Sequence, residues 1–216
     1  MFKRAFPWSR RRPAVDEAMF LKGKKVVLRE KRLEDAPLDY AWRIDDELAR
    51  LDATRPLNMS YDNFLRYTRE ELVYPSPRSK RLAIDTLDGH HIGNIMYYDI
   101  DLRQREAELG IMIGDRDYWS QGYGQDAIDT LLDHIFAATT LTRMYLHTLE
   151  WNHRARTSFA RSGFREINTV RRSGMDFILM EVWRSEWERL RAEQRDSVES
   201  SRHDNHAGGQ DESAAH

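Results

Sequence analysis

The chain has 216 residues, with 34 Lys and Arg against 36 Asp and Glu, a formal net charge of −2 and no cysteine. Without cysteine there is no disulfide, no thiolate nucleophile and no cysteine-based metal site, a usage that suits a reducing, cytoplasmic setting. The balanced charge makes no case for nucleic acid or an acidic membrane surface as the main partner, and no apolar run approaches the length of a transmembrane helix.

The N-terminus, MFKRAFPWSRRRP, is basic and lacks the apolar core of a secretory signal. Residues 1–21 read as a flexible basic arm: a plain solvated tail, or an electrostatic contact for RNA or anionic lipid. Lys25–Arg29 (KVVLR) reads as a first strand. EDAPLDYAWRI follows as a short helix, with Pro37 in its first turn, where the missing N–H matters little. Ser60 is placed to cap YDNFLRYTREEL, whose Phe64, Leu65, Thr68 and Leu72 share one face. RLAIDTL and HIGNIMYYDI form a hairpin around Asp88-Gly89, and EAELGIMIG is a further strand after a polar turn.

WSQGYG then opens a helix in which Ala127, Ile128, Leu131, Leu132, Ile135 and Phe136 make one apolar stripe, with Asp126, Asp129 and Asp133 on the other side. RMYLHTL is a fifth strand. Asn152 caps a short helix, HRARTSFARS, which Gly163 ends. FREINTV and MDFILMEVW close the pattern as two strands turning at Arg172-Ser-Gly174. SEWERLRAEQR is amphipathic, and SVESSRHDNHAGGQDESAAH, polar and without aliphatic periodicity, reads as disordered. The division is therefore an arm (1–21), one domain (22–183) and a segment running into a tail (184–216). There is no internal repeat. The order of elements implies a mixed α/β sheet with helices on both faces, not an alternating parallel one.

The glycines of WSQGYG admit two readings. One is a plain helix start after a turn. The other is an anion site, because the amides of Gln121, Gly122, Tyr123, Gly124 and Gln125 have no intrahelical acceptor and sit at the positive end of the helix dipole. A pyrophosphate matches that charge. The dinucleotide fingerprint fits poorly, since it follows the first strand of a parallel unit and this turn comes after an antiparallel meander. A P-loop is excluded, for there is no Gly-Lys-Ser/Thr.

ELGIMIGDRDYWSQGYGQDAIDTLLDHIF resembles the acetyl-coenzyme A signature of the GNAT superfamily of N-acetyltransferases, and NHRARTSFARSGF is similar to that family's Asn-x-x-Ala … Gly-Phe segment. The subgroup of resemblance is the ribosomal-protein and polyamine acetyltransferases, and the likeness spans about residues 22–183. It implies a mostly antiparallel sheet of about seven strands with a V-shaped splay between the fourth and fifth. It also implies acetyl-CoA as co-substrate. The pantetheine arm would bond the backbone of Ile111, Met112 and Ile113, the pyrophosphate would rest on the amides of residues 121–125 beside Trp119, and Asn152 would meet the arm or a bridging water. Members of the subgroup are often homodimers.

Two departures stand out. Ser120 replaces a frequent glycine, which is tolerable if it keeps negative φ. Phe159 stands where many relatives place a tyrosine that protonates the leaving thiolate. A thiol of pKa about 8.5 is already a fair leaving group, so this weakens the catalytic reading without cancelling it, and Ser158 or a water can serve instead. The alternative is a weak or inactive CoA-binding module of the same fold.

The expected acceptor is a primary amine, either a small molecule or a protein N-terminus, deprotonated by a base. Glu108 on the fourth strand is the first candidate, and Glu106 points the same way; each can equally be a solvent-facing charge. A backbone N–H of the same strand, that of Ile113, is placed to hold the oxyanion. His147 reads as a hydrogen-bonded structural histidine or a proton shuttle. His134 reads as a boundary residue, adjacent His90 and His91 point apart, and His203, His206 and His216 lie in the tail, so no metal site is expected. The segment DDELARLDATRPLN, with Asp45, Asp46, Glu47 and Asp52, and the loop VRRSGMD border the acceptor groove in relatives. Tyr97, Tyr98, Asp99 and Asp101 are further candidates to line it.

Overall fold

The computed structural model describes residues 19–207. Its eight strands form one sheet: β1 (Phe20–Lys22), β2 (Val26–Glu30), β3 (Lys80–Thr86), β4 (His91–Asp101), β5 (Glu106–Ile113), β6 (Arg143–Leu149), β7 (Arg165–Arg172) and β8 (Met175–Trp183). Six helices accompany it: α1 (Ala36–Ile44), α2 (Asp46–Leu51), α3 (Tyr61–Val73), α4 (Tyr123–Ala138), α5 (His153–Arg161) and α6 (Arg184–Ala207). The strand order is β1-β2-β3-β4-β5-β6-β8-β7, with every pairing antiparallel except β5 with β6. The fourth and fifth strands of the sequence reading are thus β5 and β6.

The elements form where local chemistry dictates. Gly89 turns the β3–β4 hairpin at φ 91°, and Ser60 accepts a hydrogen bond from the Asn63 amide at 3.4 Å to start α3. The six apolar residues of α4 are all buried, and together with Ile95, Leu109, Met144, Leu146 and Met180 they make the main core on one sheet face. The acids opposite that stripe are not free surface charges. Asp126 accepts from the amides of Lys24, Lys25 and Val26 at 3.1, 2.7 and 3.0 Å, pinning the β1–β2 turn to α4. Asp133 takes the Trp187 indole at 2.9 Å and Arg191 at 2.5 Å, docking α6.

The other face carries α1 through a buried ionic cluster. Arg29 bonds Asp35 at 2.7 Å and Asp85 at 2.6 Å, while Lys31 reaches Asp39 at 2.6 Å and Asn94 at 2.6 Å. His91 closes the cluster, with Nδ1 3.2 Å from Asp85 and Nε2 3.2 Å from Asp39. Burial pulls the imidazole pKa down, but the hydrogen bonds to Asp39 and Asp85 outweigh it and leave the value raised. With His91 protonated the cluster carries three cations and three carboxylates. His90 points elsewhere, to Asp115 at 3.2 Å.

Three expectations are corrected. The sheet has an eighth strand, β1, pairing Phe20–Lys22 with Val27–Arg29. The acceptor-side segment, which reads as the link between the first two helices, itself contains a helix, α2. The terminal amphipathic segment does not stop near Arg195: α6 continues through residues that read as a disordered tail, up to Ala207. The basic stretch of residues 1–18 and His216 lie outside the described residues.

Candidate active site

β5 and β6 run side by side for three rungs, Glu106 with Arg143, Ala107 with Met144 and Glu108 with Tyr145. Both strands continue, to Ile113 and Leu149, without pairing further, so the sheet opens into a V. Below the fork Arg143 bonds Glu106 of β5 at 2.6 Å and Glu181 of β8 at 2.7 Å, clamping three strands at the apex.

Along the open arm of β5, antiparallel alternation decides which backbone groups face the gap. Gly114 N–H donates to Ile92 at 2.9 Å, which sets Gly114 and Met112 toward β4 and turns Ile111 and Ile113 to the gap. The Trp119 indole, at 2.7 Å from the Ile113 carbonyl, sits on that open side as this phase requires. Met112 therefore contributes its side chain to the wall, while its backbone serves β4.

The glycine turn stands at the top of this arm. After a 3-10 turn at Arg116–Tyr118, the chain passes through Ser120 at φ 59° and Gly122 at φ 84°, and Gly122 is the N-cap of α4. The expectation of negative φ at Ser120 is thus corrected: a serine is held in the left-handed region, a strain that folds retain chiefly where function over-determines the backbone. Lys25 Nζ holds the Gln121 carbonyl at 2.8 Å, and the Gln121 side chain bonds the Asp117 carbonyl. The amides of Gln121, Gly122, Tyr123, Gly124 and Gln125 have no hydrogen-bond partner among the described residues. Only Gly122 requires glycine conformationally. A Cβ on Gly124 would meet Ile113 Cγ1 at an ordinary 3.6 Å.

Gap and turn open on one cavity of about 450 Å³, lined by Ile111, Met112, Ile113, Trp119, Gly122, Gly124, Gln125, Asn152, Ser158 and Phe159 from the expected set. Asn152 Oδ1 also caps α5, accepting from Ala155 N at 3.3 Å. Phe159 is buried edge-to-face against Phe164, with ring centroids 5.9 Å apart, and Ser158 lines the cavity beside it with no hydrogen bond to its hydroxyl among the described residues. Sequence reasoning missed Arg154 and Arg161, which also line the cavity. Arg154 lies over the Trp119 ring at 3.7 Å, while Arg116 approaches Trp119 to 5.5 Å. The signal was available: residues 154, 157, 158 and 161 fall on one side of a helix that Asn152 starts.

Of the expected acids only Asp52 lines the cavity; Glu106 and Glu108 sit at the fork, outside its lining. Asp52 reaches the cavity from the segment after α2 and pairs with Arg43 at 3.1 Å. Asp45 and Glu47 are engaged by Arg116 at 2.8 and 3.0 Å, so the segment beside the cavity is tied to the glycine turn. Glu106 is held by Arg143, whereas Glu108 meets Nδ1 of His147 at 2.9 Å. Tyr98 stands across β4 from Glu108, and burial first, then the Glu108 charge, keep its phenol far above the usual range and hence neutral. Tyr97 points to the core instead. In the final hairpin loop, Arg171 pairs with Asp176 at 3.0 Å.

A sheet that forks beside an amide-lined helix start makes one cleft with an open strand edge and an end suited to an anion. A family model described as an acetyltransferase (GNAT) domain matches residues 25–165, and the chain belongs to that family, the acetyl-CoA-dependent N-acetyltransferases. A search of curated protein sequences returns no match. Among solved structures, the chain is similar to a spermidine N-acetyltransferase from Vibrio cholerae in complex with CoA and spermine. That match has 19% identity and a TM-score of 0.67, covering 75% of this chain and 97% of that one. It is also similar to Mycobacterium smegmatis RimJ in complex with CoA-disulfide, at 22% identity and a TM-score of 0.64, covering 82% and 94%. A GNAT-family acetyltransferase from Bacillus anthracis matches at 13% identity and a TM-score of 0.66, covering 77% and 99%. No described helix is long and apolar enough to cross a membrane.

Proposed function

We propose that the protein moves the acetyl group of acetyl-CoA to a primary amine by direct attack through a tetrahedral intermediate. The observation that carries this is the meeting, in one cavity, of the gap-facing backbone of Ile111 and the Ile113 N–H with the glycine turn, whose Gly122, Gly124 and Gln125 line it with unpartnered amides. The pantetheine arm adds as a strand to β5, and the pyrophosphate sits at the α4 N-terminus, where backbone donors and dipole favour an anion. Arg154 and Arg161 flank the phosphate end. The acetyl group then lies toward the fork, where Ile113 N–H or its neighbour on the gap side, Ile111 N–H, meets the oxyanion. Ser158 or solvent protonates the departing thiolate.

The amine enters past Asp52 and Tyr98, toward the Glu108–His147 pair. The ion pair of Glu106 with Arg143 favours Glu108 over it for this role. Asp52 in the cavity wall and Glu108 beside the fork support an acceptor that arrives as a cation, either a polyamine of the kind named for the Vibrio cholerae neighbour or a protein N-terminus. Dimerisation of the enzyme belongs to the same reading.

The test has two stages. Calorimetry with CoA and acetyl-CoA reads the cofactor site, and no heat from well-folded protein would remove the reading. Free-thiol release is then followed with spermidine, spermine and short unblocked peptides. Binding without thiol release on any amine would favour a CoA-holding module, the role that Phe159, unable to donate a proton, would suit.

A further inference from the structure

The fork places one pair of side chains from its two arms in contact across the gap. On the face toward α1, β5 presents Glu108 at its last paired rung, and β6 presents His147 two residues past its own. Nδ1 of His147 lies 2.9 Å from Oε1 of Glu108. A carboxylate only accepts, so in the neutral ring the proton sits on Nδ1 and Nε2 is a bare lone pair. Nε2 has no partner among the described residues and is not fully sealed, the side chain being 9% exposed. The ring is held in place, with the Tyr145 ring edge-on at 6.0 Å and Glu108 itself backed by neutral Tyr98. The β8 residue opposite His147 is Leu179, which carries no charge.

Resting on the acetyl-transfer reading above, we propose that His147 receives the proton of the attacking amine, and that Glu108 is the positioning residue that fixes its tautomer. Imidazole is the side chain best matched to proton transfer near neutral pH. Glu108, by contrast, already spends one oxygen on His147. In the step, the acceptor first sheds its ammonium proton to solvent; the neutral amine nitrogen then bonds the acetyl carbon, its N–H proton passes to Nε2, and the C–S bond breaks with its electron pair leaving on sulfur. The thiolate takes a proton from solvent or Ser158, and His147 returns its own to solvent.

The test uses the full chain labelled with 15N-histidine, with the His147 signals assigned by their loss in His147→Gln. Long-range proton–nitrogen spectra of the neutral ring are expected to show the proton on Nδ1, and Glu108→Gln to release that preference. A wild-type proton on Nε2 overturns the proposal, whether or not an acceptor has been found. With spermidine or a peptide amine that turns over, His147→Gln is expected to lower kcat by about 10²- to 10⁴-fold and leave the KM for acetyl-CoA within about twofold. Glu108→Asp should retain more activity than Glu108→Gln. Unchanged kcat in His147→Gln overturns the assignment, while loss of acetyl-CoA binding by the wild-type protein would instead strike the acetyl-transfer reading.

Discussion

Gly122 separates the cost of the backbone from the cost of charge. At φ 84° it sits in a region that costs an L-residue about 1–2 kcal/mol. A Cβ built there meets nothing closer than Lys25 Nζ at 4.0 Å, so no clash adds to that strain. Gly122→Ala should therefore fold, keep every amide of the turn, and lose about 2–8 °C in Tm at about 2–4 °C per kcal/mol. Gly122→Asp adds a carboxylate where the pyrophosphate is expected. At about 5 Å and an effective dielectric of about 20, one charge pair repels by about 3 kcal/mol, which is about a hundredfold in Kd before the second phosphate charge is counted. The assay is calorimetric titration of both variants with CoA beside thermal melts. If Gly122→Asp binds CoA within about threefold of Gly122→Ala, the phosphates do not lie on this turn and the cofactor placement is wrong.

Three further outcomes are expected. Arg154→Ala should weaken CoA binding by about tenfold, more at low than at high ionic strength, because its guanidinium lines the cavity where the phosphates are proposed and forms no ion pair among the described residues; equal loss at every salt concentration would speak against a phosphate contact. Asn152→Ala removes the α5 cap and should cost about 1 kcal/mol, read as a drop of about 2–4 °C in Tm. His91 has a raised pKa in the fold, so its contribution is complete below its ordinary value of about 6.5 and fades as pH rises through the raised one. Asp39 and Asp85 work in the opposite sense. Burial opposes their ionisation, but hydrogen bonds from His91 and the neighbouring cations hold their values below normal, so their contribution exists above about 3.9 and is lost as pH falls. Tm should thus decline from mildly acid pH toward alkaline pH, and His91→Gln should start lower and flatten that slope; a parallel slope in the variant would refute the role.

What could be read from the chain follows the range of the interaction. The α4 stripe, the Asp88-Gly89 hairpin, the Ser60 and Asn152 caps and the amide-bearing turn are set by residues within a few positions of one another. Period and cap chemistry expose such features directly. The unread features have distant causes. Phe20–Lys22 is too short to show alternation and is a strand because Val27–Arg29 accepts it as a neighbour. Asp126 and Asp133 look like a solvated helix face until the β1–β2 turn and α6 arrive to use them. Glu106 and Glu108 share a face and a residue type, and only the sheet order distinguishes them, by giving one to Arg143 and the other to His147. Ser120 keeps its left-handed φ because the turn around it is held from outside, by Lys25 on Gln121 and by Trp119 on Ile113.

The fork ties these observations into one physical account. A parallel pair of strands would ordinarily continue pairing, since unpaired edge groups are costly when buried. Here the pairing ends after one carboxylate–guanidinium clamp, Glu106–Arg143–Glu181, and one bridge across the opening, Glu108–His147. A bulge in β4 between Tyr98 and Asp101, with Asp99 at φ 50°, bends β4 against the same stretch of β5. Beyond it Trp119 takes the Ile113 carbonyl, and the Ile113 N–H and the gap-facing groups of Ile111 have no partner among the described residues. Amides in the guest are the natural partner for that strand edge, and negative charge the natural partner for the helix start beyond it. The two lie along one cavity, and that arrangement is what the acetyl-CoA proposal rests on.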